Sequence, residues 1–380
     1  MFQIKQDSLN QSVLTNSNKL LFSVTSVAFL ILLCIPMNEL DENPTQMYDE
    51  GFTTFSSDTL WLDEKLSVTF PVNFLATNNQ GQVSDPEFLE ILDNFSIWLS
   101  EREQVNHVTS LANNMKSLNK SMHGDDPEWK KIPDNSDLSA QYLFFYEMSL
   151  PMGLDLNSSI SQDRKSTKVS ATLKDMSANE FKDFNNEVLN YLKQNKLEGI
   201  ISEPSSFRVI FTYMVEAIVN SLLYGLLIGI LLITLIIGLF FRSYLLSAVS
   251  IFPNILPIAM GFGLWGLFVG DVGFMVAVGM GSTLGVIVDF TVHFLSKYEL
   301  ARKEMKKSVE DSINYSFETV GFALIIMTVV LVLGFSVLNL VTFIPIQEFA
   351  KFSVICFSAG LIINFLLLPN LLVKFDRRIF

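Results

Sequence analysis

Six stretches of this chain stay apolar long enough to matter to a membrane. The first, LLFSVTSVAFLILLCIPM, covers residues 20–37 and is just long enough to span a bilayer. Five more crowd the other end, at 212–241, 245–269, 273–296, 317–338 and 351–373. Between the first run and the second, residues 38–211 change rhythm. LSVTFPVNF (66–74) alternates strictly, with Leu66, Val68, Phe70, Val72 and Phe74 on one face, which predicts a half-buried strand. Asp85, with Pro86 at the first helical position, predicts a capped helix whose apolar stripe is Phe88, Leu92, Phe95 and Leu99. VNHVTSL (105–111) predicts a second strand.

The order then repeats. KVSATLK (168–174) alternates, Ser177 and Glu180 form a capping box, and Phe181, Phe184, Val188 and Leu192 line the helix that follows. LEGIIS (197–202) closes the unit. Two β-α-β units predict a ferredoxin-like α+β domain. Residues 112–165 read as an insertion, polar, with a Pro/Asp-rich loop and one aromatic helix near AQYLFFYEM.

Composition agrees with the pattern. Of 380 residues 49% are hydrophobic and 17% charged, and the mean hydropathy is +0.37, so the class is an α-helical polytopic membrane protein. The first run is read as an uncleaved anchor, because no small-x-small cleavage site follows it and Leu33 before Cys34 spoils a lipoprotein site. Cys34 and Cys356 both lie in apolar runs, so no disulfide framework and no metal site is expected. The chain shows no nucleophile–base pair, Gly-rich phosphate loop or basic nucleic-acid stripe. It is therefore read as a non-enzyme without cofactor, metal or nucleic-acid partner. His107 and His123 are read as surface or core residues.

The net charge of −13 is unevenly spread. Lys297, Arg302, Lys303, Lys306 and Lys307 crowd one short loop, Arg242 sits in another, and Lys374, Arg377 and Arg378 follow the last run. The turns near Asp271 and from Asn339 to Ala350 carry no Lys or Arg. The positive-inside rule then puts both termini in the cytoplasm and 38–211 outside, where its acidic excess is tolerated. The expected organisation is a cytoplasmic lead (1–19), the first span, an external domain (38–211), a five-helix bundle (212–374) and a short cytoplasmic end (375–380).

One residue in the bundle is out of place by hydropathy. In GMGSTLGVIVDFTVHFLSK, residues Gly281, Gly285, Asp289, His293 and Lys297 recur every four positions and share one helix face. The glycines permit close approach of a neighbouring helix, so Asp289 is expected to face protein rather than lipid. An ionised Asp in mid-span costs roughly 2.5–3.5 kcal/mol on insertion scales, a cost relieved when it takes up a proton. His293, one turn on, is the residue type that changes charge near neutral pH. Two roles fit: a proton relay, or a polar clamp in which Asp289 bonds a neighbouring helix. Thr328 and Asn364, on the fifth and sixth spans, are candidate polar partners, with a bond to their own helix backbone as the equal alternative. Gly225 and Gly229 form a small face on the second span, and Pro253 and Pro257 mark candidate bends in the third. Glu216 sits near an interface and is read as solvated.

With those residues in view, the sequence resembles the resistance-nodulation-division (RND) superfamily, in its MMPL-type branch. FRSYLLSAVSIFPNILPIAMGFGLWG, GVIVDFTVHFLSKYELAR, TVGFALIIMTVVLVLGF and INFLLLPNLL resemble that family's second-to-third, fourth, fifth and sixth spans. HVTSL, LNKSMHGDDPEW and AQYLFFYEMSLPMGLDL resemble the C-terminal half of its exporters. The resemblance implies one six-span half with a porter-type external domain, exporting a hydrophobic or lipid-like substrate on the proton-motive force from the bacterial inner membrane. Membrane lipid would surround it, and a second copy or a complementary six-span half would complete it. A non-transporting membrane module, such as a lipid-binding sensor or translocation-assisting subunit, and an inactive half are the competing expectations. Two departures stand out. Relatives carry Asp-Asp or Asp-Tyr where this chain has Asp289-Phe290, and some carry an acid near Asn364.

Overall fold

The computed structural model describes residues 17–42, 47–49, 54–66, 70–151 and 155–379. The chain divides into two compact units, one formed by 1–53 with 215–380 and the other by 54–214. Val68 and most of the 1–19 lead lie outside the described residues.

The helical unit opens with α1 (Ser17–Leu32) and a short 3-10 turn, Ile35–Met37. The α+β unit contains α2 (Phe55–Leu66), β1 (Phe70–Thr77), α3 (Pro86–Ser100), β2 (Val105–Thr109), α4 (Leu111–Met122), α5 (Ser136–Ser149), β3 (Ser166–Leu173) and α6 (Ala178–Gln194). β3 lies between β1 and β2 and is antiparallel to both. On the other side of β1, Ser205 and Ile201 bridge to Asn73 and Ala76 in antiparallel sense. That order is the split β-α-β arrangement that the two repeated units predict.

Val72, Phe74 and Ala76 of β1 and Val169, Ala171 and Leu173 of β3 meet the stripes of α3 and α6 in one core. Trp98 of α3 stacks on Tyr191 of α6 with centroids 4.1 Å apart. The capping box of Ser177 and Glu180 is present.

Three local readings change. The expected strand start at Leu66 is the end of α2, and β1 begins at Phe70. Asp85 does not cap α3 with its side chain. Its Oδ2 accepts instead from Gln82 N–H at 2.8 Å and Asn78 Nδ2 at 3.1 Å, tightening the preceding turn. The expected strand to residue 111 stops at Thr109, because Ser110 takes Asn113 N–H and opens α4. His107 is exposed. His123 stacks on Trp129 at 3.7 Å and its Nδ1 sits 2.8 Å from Asn119 O, a packing role.

The rest of the helical unit is α7 (Phe207–Phe241, shared across the boundary between units), α8 (Tyr244–Phe268), α9 (Phe274–Lys303), α10 (Val309–Ser316), α11 (Phe322–Val337) and α12 (Ile344–Ile379). A π-helical turn, Phe317–Gly321, joins α10 to α11. Among the described residues five helices, with α10 to α11 counted as one, are long and apolar enough to cross a membrane, and α1 is a shorter apolar helix. α8, α9 and α12 are the buried centre, while α7 and α11 present mostly apolar surface outward. Pro253 and Pro257 are buried within the unbroken α8. The unit's close helix approaches use glycines other than those singled out by spacing. A Cβ on Gly263 would lie 2.1 Å from Ile31 O, and one on Gly266 2.5 Å from Cys34 O, so α1 meets α8 backbone to backbone there.

Candidate functional site

α9 has two unlike faces. Ile287, Phe290, Thr291 and Phe294 are buried. Gly281, Gly285, Asp289 and His293 are exposed. A Cβ on Gly281 or Gly285 would meet nothing within 4 Å. Gly225 of α7 is equally open, and Gly229 only reaches Leu284 Cδ2 at 3.9 Å. The face that the spacing assigns to a helix contact is thus left uncovered by this chain's own helices. Among the described residues neither Asp289 nor His293 makes a hydrogen bond or ion pair.

The expected polar partners are spent elsewhere. Thr328 donates to Leu324 O on its own helix at 2.9 Å. Asn364 is fully buried and faces Thr291, not Asp289; Thr291 Oγ1 lies 2.9 Å from Asn364 Oδ1 and 2.7 Å from Asn254 Oδ1. A hydroxyl has one proton to give. Asn364 donates its NH2 to Gly360 O at 2.9 Å, so its carbonyl oxygen takes the Thr291 proton. The Asn254 amide is then best served by turning its NH2 toward Thr291, an orientation that hydrogen bonding decides. The trio ties α8, α9 and α12 together in mid-bundle. Sequence reading missed Asn254 and Thr291. Their only signal is a polar residue in each of two apolar runs.

At one end of α9 lie two described segments that follow α1, 38–42 and 47–49, here called the strap. Glu39 pairs with Asp271 and Tyr48 with Phe343, so the strap is laced to the turns before α9 and before α12. Asn38 Nδ2 donates to Phe262 O at 2.9 Å. Glu42 Oε2 accepts Phe274 N–H at 2.8 Å, placing a carboxylate at the positive end of α9. A Cβ on Gly273 would stand 3.1 Å from Glu42 Oε2 and 3.4 Å from Glu348 Oε2, so two carboxylates flank one glycine. Burial pushes Glu42 up to about 7, against the Phe274 hydrogen bond and with help from Glu348 and Asp41. Burial, with Asp41 and Glu39 nearby, also raises Asp271 above the usual carboxylate range.

At the other end, Asp376 of α12 is buried and accepts from Tyr298 Oη at 2.5 Å, Arg302 Nε at 2.9 Å and Arg302 Nη2 at 2.7 Å. Tyr298 and Arg302 are one turn apart on α9. This bidentate pair fixes α9 against α12.

The chain thus carries a helical unit with a polar face on its central span and a separate split β-α-β unit. The MMPL family profile matches residues 85–379. The chain belongs to the MMPL family. It is accordingly a multi-pass membrane protein of the RND kind. No curated protein matches it. Among solved structures, SecDF, a translocon-associated membrane protein from Thermus thermophilus, is similar at 22% identity with a TM-score of 0.39, over 42% of this chain and 22% of SecDF. The chain therefore spans a small part of that protein's length. In this MMPL-family chain the fourth-span motif reads Asp289-Phe290, and Phe290 packs inside the bundle against Gly360. A second acid at that position would be buried, so of the two positions only Asp289 is accessible.

Proposed function

We propose that this MMPL-family chain is one half of a proton-driven exporter of hydrophobic or amphiphilic molecules, held in the bacterial cytoplasmic membrane with both termini inside and the α+β unit outside. A second half, either another copy or a complementary six-span chain, lies against the open face of α9. The observation that carries this reading is the uncovered row Gly281, Gly285, Asp289 and His293 on a helix whose opposite face is packed.

A carboxylate left facing hydrocarbon is costly, and glycines with nothing against them contribute no packing. Both facts are accounted for when a second bundle covers the row. Asp289 then holds a proton at the junction of the halves, and His293 stands one turn closer to the basic loops. One charge moved across about 100 mV is worth about 2.3 kcal/mol. A few protons are enough to bias a two-state transporter.

The test is proton-gradient-driven efflux of a lipophilic dye from vesicles, wild type beside Asp289→Asn at equal protein level. Loss of efflux with normal abundance supports the relay. Normal efflux leaves Asp289 as a clamp or the chain as a non-transporting module. Single cysteines at Ser161 and Ser308, labelled from outside and after permeabilisation, test the orientation. Labelling of Ser308 from outside overturns it.

A further inference from the structure

α1 and α8 meet at Gly263 and Gly266. Nearer the start of α8, around Phe252 and Leu256, a gap is left between them. The wedge between them, closed by α12, is a groove of about 550 Å³ walled by Phe22, Phe29, Phe252, Leu256, Leu367 and Leu371. Phe22, Phe29 and Phe252 are 73%, 61% and 59% exposed. The groove's polar lining residue is Thr25, whose hydroxyl is spent on Phe22 O at 3.0 Å.

Such a groove cannot stay empty within a bilayer, because its walls would lose dispersion contacts along one side. Water cannot fill it, because it offers no set of polar partners. A methylene chain satisfies both conditions. The groove also has an electrostatic end. Leu367, Leu371 and Lys374 recur at i, i+4 and i+7 on α12, so Lys374 stands on the groove's own face, one turn beyond its last wall residue and toward the basic side. Lys374 is exposed, and among the described residues no carboxylate pairs with it. The nearby Asp376 is already held by Arg302 and Tyr298.

We propose that this groove is a binding site for an anionic phospholipid of the leaflet beside the basic loops, with one acyl chain lying between α1, α8 and α12 and the phosphate on Lys374. The lipid fills the wedge that the Gly263 and Gly266 approach leaves open, and so fastens α1 to the bundle. The site is separate from Asp289 and does not depend on the transport reading.

The experiment uses the full chain, delipidated and returned to nanodiscs containing spin-labelled phosphatidylglycerol or spin-labelled phosphatidylcholine. The wild type is expected to immobilise a fraction of the phosphatidylglycerol and less of the phosphatidylcholine. Lys374→Glu should reduce that preference by about fivefold or more, the fold-change expected for one cation at an anionic surface. Leu371→Trp and, on the facing wall, Leu256→Trp fill the groove and should each abolish the immobilised fraction. Having two filling variants covers the case in which one fails to fold. Equal immobilisation of the two lipids by the wild type overturns the headgroup assignment. An immobilised fraction unchanged by the filling variants, or a copy-to-copy cross-link through cysteines at Phe22 and Phe252 with no lipid retained, overturns the site.

Discussion

The two faces of α9 are cut from the same helix, Phe274–Lys303, and obey opposite rules. On the buried face every polar group has a partner. Thr291 is enclosed between Asn254 and Asn364, and Gly360 lets Ile287 and Phe290 approach so closely that an added Cβ would stand 3.1 Å from Ile287 Cγ1. On the open face a carboxylate and an imidazole stand beside two glycines that touch nothing. The buried face is finished within the chain and serves stability. The open face is left bare by the described helices, and in the proposed function it is where a second half meets this one. Polarity at membrane depth therefore has two meanings, and partner accounting, not hydropathy, separates them.

Asp289→Asn is the sharpest way to test that division. Proton-driven efflux should fall to the level of empty vesicles. Stability in detergent, read from the thermal midpoint, should change by no more than the roughly ±0.5 kcal/mol typical of an exposed substitution. A large loss of stability would move Asp289 to the structural side. Asn364→Leu should do the reverse. It takes the Asn364 carbonyl from Thr291, leaving that hydroxyl to Asn254 and Ile287 O, and removes the bond to Gly360 O, at a cost of about 1–3 kcal/mol, seen as a lowered thermal midpoint. Its folded fraction should retain efflux.

Gly285→Leu should leave the single chain as stable as wild type, since a Cβ there has open space around it. It should weaken association of halves, read by energy transfer between differently labelled chains in nanodiscs. Unchanged association would mean that the open face is not where the halves meet.

The smallest expected effect lies at the common origin of both faces, where Glu42 accepts Phe274 N–H. The folded value near 7 is above the ordinary 4.5, so the folded strap binds a proton more tightly than the free chain does. Holding the strap should therefore become harder as pH rises from about 4.5 to about 7 and level off above that. The protection factors of the Glu39 and Val272 amides, which lace the strap to the turn before α9, should fall across that window. Glu42→Gln should flatten the dependence.

Much of this was legible in advance, and the reasons differ by element. The Asp289 row needed only a four-residue spacing, a property of one helix. The sheet order followed from two alternating runs, each trailed by an amphipathic helix. The Asn254–Thr291–Asn364 trio could not be read in the same way, because it depends on the rotation of three helices that are far apart in sequence. Asn364 makes the bond to its own helix that the sequence leaves open beside an Asp289 contact, and it faces Thr291, two positions from Asp289 and roughly opposite it. Gly263 and Gly266 are close-approach sites within the chain that four-residue spacing does not single out, while nothing in the chain approaches Gly281 or Gly285. Spacing shows where a helix could be approached, and only packing decides what approaches it. Asp85 and Ser110 are smaller cases, in which a short polar side chain had two local backbone partners to choose between.

The Arg302–Asp376 clamp also sets an order of events in time. The two residues are 74 positions apart. At roughly 5–20 residues per second, Arg302 waits about 4–15 s during synthesis before its acid exists. Throughout that interval the Asp376 contacts of Arg302 do not yet exist, and α9 is not yet tied to α12. The clamp is therefore a late contact, and α9 is fixed against α12 only once that helix has been made.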